Sequence, residues 1–218
     1  MSRIFQIACF LILSALTTYS QTPSLATVTF TIDFPSSQPE HYSIRISSDG
    51  TGHYQSSGRI SANSDDTESF DLDFNTTTET REKIFGLAAK AGYFKKDVDS
   101  HHKGLAFTGK KVLAYQDAQR NGESTFNYST IPAVQDLTSL MQSLSMTLEF
   151  GHRLRYDQQY QKLALDDELK QMETLAGTNQ LVEVAAIQSI LDRIIADPAV
   201  INVTRARAQR LLERAPAH

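Results

Sequence analysis

The chain predicts an α+β fold: an antiparallel sheet of about five strands packed by one or two helices, followed by a C-terminal helical hairpin or small bundle. Apolar residues alternate with a period of two from Val28 to Phe74. The dipeptides Asp49-Gly50 and Asn121-Gly122 have the composition of tight hairpin bends. From Ile131 onward the apolar spacing changes to three and four, and no further strand pattern follows.

Each element has its own signal. In 26–34, Val28, Phe30, Ile32 and Phe34 fall on one side and Thr27, Thr29, Thr31 and Asp33 on the other, the pattern of a half-buried strand rich in β-branched residues. Tyr42, Ile44 and Ile46 repeat the alternation, Asp49-Gly50 turns the chain, and it returns through His53 and Tyr54. The glycines at 50 and 52 lead into a strand, whereas a phosphate cradle would lead into a helix N-terminus, so they serve backbone shape. Phe70, Leu72 and Phe74 face inward from another strand, with Asp71 and Asp73 outward. A helix follows: Thr76 and Glu79 have capping-box spacing, Ile84, Leu87, Ala88 and Ala91 share a face, and Gly92 stands where it would end. A second strand pair spans 105–117 and 124–129, with its bend at Arg120-Asn121-Gly122.

Pro132 suits a first helical position, and Val134, Leu137, Leu140, Met141, Leu144 and Leu148 form an apolar stripe. If the pattern ran unbroken to Ala176 the helix would be ~70 Å long at 1.5 Å per residue, so a kink or break is expected near Gly151. Two more helices are expected at 180–196 and 198–214, the latter after Asp197-Pro198. The organisation read from these signals is a leader over 1–20, a sheet domain over 21–150 and a helical extension over 151–218.

Residues 1–20 carry Arg3, an apolar run from Ile4 to Leu16 and a short tail of small residues, the layout of a secretory signal peptide cleaved before Gln21; a retained anchor is the alternative. The apolar run is shorter than the ~20 residues of a membrane span, so the mature chain is expected to have none and to be periplasmic or secreted. The single cysteine, Cys9, leaves with the leader, which removes disulfides, thiol nucleophiles and thiolate metal sites. Net charge is −4, and −4 − 1 = −5 without Arg3, the wrong sign for a nucleic-acid protein.

Few residues nominate chemistry. Asp97, Asp99, His101 and His102 are the one compact group of metal-ligand types, but adjacent histidines in a loop point apart and no helical His-x3-His spacing is present. His152, Tyr156 and Tyr160 recur every four residues, an aromatic stripe for a partner or the half-buried flank of a helix, and Arg153 and Asp157 have the spacing of an ion pair. Arg205, Arg207, Arg210 and Arg214 make a basic tail that either favours the helix dipole or seeks an acidic partner. No GxSxG elbow is present, and no cofactor motif. Asn75, Asn127 and Asn202 match the glycosylation acceptor pattern, relevant only to a eukaryotic secretory route.

The string Tyr42-x-Ile44-x-Ile46, then Asp49-Gly50-x-Gly52-x-Tyr54, a strand, and a helix closing on Gly92-Tyr93-Phe94 resembles exported bacterial domains of unknown function over roughly 26–148. The resemblance implies a bacterial exported origin and an α+β fold, with no catalytic residues to carry over. The expectation for function is a non-enzymatic binding or protein-interaction module whose partner is another envelope or secreted protein, or a second copy. The alternatives are a cell-envelope hydrolase or metal-dependent enzyme using the Asp97–His102 loop, and an inhibitor or chaperone acting through a sheet edge.

Overall fold

The computed structural model describes residues 25–35, 37–59, 67–178 and 180–215, so the leader expected over 1–20 lies outside the described residues. The chain forms a six-stranded antiparallel sheet with helices on one face. The strands are β1 (Thr27–Asp33), β2 (His41–Ser47), β3 (Thr51–Arg59), β4 (Thr67–Asn75), β5 (Lys110–Gln116) and β6 (Asn121–Phe126), in the spatial order β4-β3-β2-β1-β5-β6. That is one strand more than expected, within the α+β class the alternation predicts. Val28, Phe30 and Ile32 of β1, with Ile44 and Ile46 of β2, are buried on the helix side, each worth about 1.5–3 kcal/mol of transfer free energy.

The helices are α1 (Thr78–Lys90), α2 (Pro132–Tyr160), α3 (Leu165–Gly177), α4 (Gln188–Ala196) and α5 (Asn202–Arg214). All six residues of the predicted α2 stripe are buried in a core that continues through Leu169, Leu191, Ile194 and Leu211 of the later helices. The expected division at 150–151 therefore falls inside α2 and inside one continuous core.

Three local expectations change. Gly151 does not end α2, which runs 29 residues to Tyr160; the helix stops instead at Gln161. Gly151 is required by packing, because a Cβ there would sit 2.6 Å from Ile187 Cγ2. The N-cap of α1 is Thr77 rather than Thr76: its hydroxyl accepts from Thr80 N–H, while Thr77's own N–H and hydroxyl donate to the buried Glu183 carboxylate. Asn121-Gly122 is not the bend. Asp117 N–H bonds Arg120 O and the Asp117 carboxylate accepts from the N–H groups of Gln119 and Arg120, so the turn precedes Asn121. Gly122 is needed because the one-turn segment Gly92–Phe94 crosses β6, where a Cβ would lie 2.1 Å from Tyr93 O.

Candidate ligand-binding groove

The register aligns one end of every strand: Asp33 pairs with His41 and with Lys110, Lys111 with Phe126, and Gly58 with Glu68. Helix α2 crosses the sheet at this end. Gln135 bonds the Tyr128 hydroxyl beyond β6, Glu149 meets Tyr54 and Ser56 on β3, and His152 meets Glu68 on β4. The dimensions agree. Five inter-strand gaps of the six-stranded sheet span ~24 Å, and the 17 residues from Gln135 to His152 rise ~26 Å.

The flank of α2 facing this end is polar except for Met146 and follows a heptad rhythm: Gln135, Gln142 and Glu149; Thr138, Ser145 and His152; Ser139, Met146 and Arg153. Between that flank and the strand ends lies a groove made of adjoining clefts. One of about 410 Å³ has Lys111, Phe126, Tyr128 and Thr138 in its walls. It shares Thr108 and Gln142 with a middle cleft of about 420 Å³, walled by Ile32, Phe34, Tyr42, Ser145 and Met146. The middle cleft shares Gln38, Pro39, Glu149 and Arg153 with a small recess of about 40 Å³ beside Ser56, Glu68 and His152. Apolar groups stand at its lip: Tyr128 and Met146 in the cleft walls are exposed, and so is Phe107, which packs edge-on to Phe34 with ring centroids 5.9 Å apart. Gly109 lets the chain pass close against Phe34 and Ile32, since its φ of +97° is left-handed and a Cβ would lie 2.9 Å from Phe34 Cβ.

At the recess end every charge is partnered. Glu149 Oε1 accepts from the Tyr54 hydroxyl at 2.6 Å and the Ser56 hydroxyl at 2.5 Å, and Oε2 lies 3.4 Å from His152 Nδ1. His152 Nε2 lies 3.1 Å from Glu68, and its ring stacks on Phe70 at 4.5 Å. Burial alone would push the Glu149 carboxyl up, but the hydrogen bonds from His152, Ser56 and Tyr54, with the charge of His152, hold it below the usual range. Burial and the Glu149 charge push the Tyr54 phenol well up. Both ring nitrogens of His152 face carboxylates and neither faces a hydroxyl, so the cluster lacks the base–nucleophile contact of acyl transfer. It ties α2 to β3 and β4.

At the other end stands Lys111, the first inward position of β5 and only 5 % exposed. Its ammonium donates to neutral oxygens: Thr108 Oγ1 at 2.9 Å, Thr108 O and Asn127 O at 3.0 Å, and Gly109 O at 3.4 Å. Burial pulls its pKa down.

The residues singled out in the sequence fall elsewhere. Asp97, Asp99 and His101 fold into a tight turn: His101 Nε2 meets Asp97 at 2.7 Å, and Asp99 accepts from the N–H groups of His101 and Asn127. His102 is exposed, and among the described residues no group of three or more His, Cys, Asp or Glu side chains is placed to hold a metal. Of the stripe His152, Tyr156, Tyr160, the histidine is buried against the sheet, while Tyr160 is exposed and packs on Tyr156 at 4.9 Å. Arg153 bonds Glu168 at 3.0 Å instead of closing the expected pair with Asp157. Two residues of the basic tail meet acidic partners inside the chain, Arg207 bonding Asp166 and Glu173 and Arg210 bonding Glu173, while Arg205 bonds the neutral amide oxygen of Asn202. Arg214 is exposed beside Thr77 and Glu183 at another cleft.

Gln135, Gln142 and Glu149, spaced seven apart on α2, and Thr138 were not among the sequence candidates, and Lys111 sits where alternation with Leu113 and Tyr115 turns it inward. No family model matches the chain, and no curated protein matches it. No helix among the described residues is long and apolar enough to cross a membrane.

Proposed function

We propose that the chain is an exported, non-enzymatic binding module that takes a small amphipathic ligand lengthwise along the α2 groove. The observation that carries this reading is the groove itself: adjoining clefts with an exposed apolar lip and polar groups supplied at regular intervals by one rigid helix, the makeup of a ligand site. Export rests on Arg3 and the apolar run that follows it.

The other readings have less support. A contact made through the basic tail loses its charge argument, since Arg207 and Arg210 are engaged by Asp166 and Glu173. A sheet-edge reading is weakened on both sides. Val98 and Ser100 bond Ser124 and Tyr128 beside β6, and β4 carries Glu68, Asp71 and Asp73, charges of the kind that discourage strand addition.

The test is a titration with the neutral dye Nile red, read by fluorescence, on wild-type protein and on Gln142→Trp. Gln142 is exposed and lines both large clefts, so tryptophan fills the groove without touching the core. Saturable binding in the wild type, weakened at least tenfold in the variant, is expected. Equal binding in both would overturn the reading.

A further inference from the structure

We infer that the Lys111 end of the groove is a carboxylate-recognition subsite, so that the ligand is an apolar chain ending in a carboxylate, such as a medium-chain acyl acid. This rests on the groove reading and adds the chemistry of the ligand's head.

Two independent observations point to it. The first is a cation without an anion. Lys111 is nine-tenths buried, and a buried ammonium costs several kcal/mol unless an opposite charge compensates it. Its four acceptors are three backbone carbonyls and a threonine hydroxyl, and no carboxylate pairs with it among the described residues. The Glu149 end of the same groove, by contrast, partners every charge it buries.

The second is an orphan hydroxyl on a residue that lines the same cleft. Thr138 is 9 % exposed, and its Oγ1 is buried with no hydrogen-bond partner among the described residues. A helical threonine ordinarily returns its hydroxyl to the carbonyl four residues back, as Thr147 does to Ser143 and Thr174 to Lys170. Thr138 does not, and an unmet buried donor costs about 1–3 kcal/mol until something accepts from it. A carboxylate meets both needs. One oxygen takes the place of Thr108 Oγ1 on the ammonium, since Thr108 belongs to the exposed 104–108 segment and its hydroxyl also reaches Asn127 Oδ1. The other oxygen accepts from Thr138. The chain then extends past Gln142 into the apolar middle cleft, toward Phe34 and Met146. Binding an anion also opposes the burial that pulls the Lys111 pKa down.

The test displaces Nile red from the wild type, Lys111→Met and Thr138→Val with octanoate and with octanol at pH 7. Octanoate is expected to bind about tenfold more tightly than octanol in the wild type, as one charge-assisted contact supplies. In Lys111→Met the ratio should fall to about one. In Thr138→Val, which keeps the side-chain shape and carries the test should Lys111→Met not fold, the ratio should fall about threefold. Equal displacement by both compounds in the wild type overturns the carboxylate inference and leaves the groove reading standing. Displacement by neither overturns the acyl ligand, whereas Nile red binding that Gln142→Trp leaves untouched overturns the groove itself.

Discussion

The two ends of the groove bury comparable polar chemistry and treat it in opposite ways. At the β3–β4 end, Glu149 has Tyr54, Ser56 and His152, and His152 has Glu68 in turn. At the β5–β6 end, among the described residues, Lys111 has only neutral oxygens and Thr138 has no partner. Buried polar groups that are fully met hold a fold together, while those left unmet mark where something from outside is expected. The contrast assigns structure to one end and binding to the other, and each assignment can be broken separately.

The largest effect is expected from Glu149→Leu. It removes the acceptor of two buried hydroxyls and the neighbour of His152, and should cost about 3–5 kcal/mol in denaturant unfolding. A loss below about 1 kcal/mol would show that the cluster is not structural. The pH dependence follows from the same group. Because the folded Glu149 carboxyl titrates below its ordinary value of 4.5, its contribution is complete above that pH and is lost as pH falls toward the folded value. Glu149→Gln should flatten the acid limb of the stability curve.

Asp157 is expected to act in the reverse sense. Burial, then the Glu168 charge, push its carboxyl up to about 6 against the opposing Arg153. With the folded value above the unfolded one, stability is full below about pH 3.8 and falls as pH rises through about 6. Asp157→Asn should therefore stabilise the protein by about 1–2 kcal/mol at pH 7 and by nothing near pH 3.5, checked by urea melts at both values.

The smallest effect should come from the binding end. Lys111→Met exchanges an uncompensated buried cation for an apolar chain of similar shape, so its unfolding free energy should stay within about 1 kcal/mol of the wild type. A loss as large as that of Glu149→Leu would make both ends structural and erase the contrast.

Much of the fold was legible because its signals are local. Alternation at Val28, Phe30 and Ile32, the turn at Gly50 and the stripe from Val134 to Leu148 need only their neighbours in sequence. What escaped depends on distant partners. Gly151 has the composition of a helix break, yet it is set by Ile187 36 residues away, and the end of α1 is held by Glu183 as well as by Thr77. The groove was half legible. The heptad of Gln135, Gln142 and Glu149 and the inward place of Lys111 are written in the sequence, but the stronger apolar stripe on the same helix masks the first, and only the paired strand ends show that both face one space.

Chemical-shift mapping on ¹⁵N-labelled protein with octanoate tests the central claim most directly. Saturable shifts are expected at the amides of Lys111, Thr138 and Gln142, with α5 still. Shifts gathered in α3 to α5, and none along the flank of α2, would contradict it.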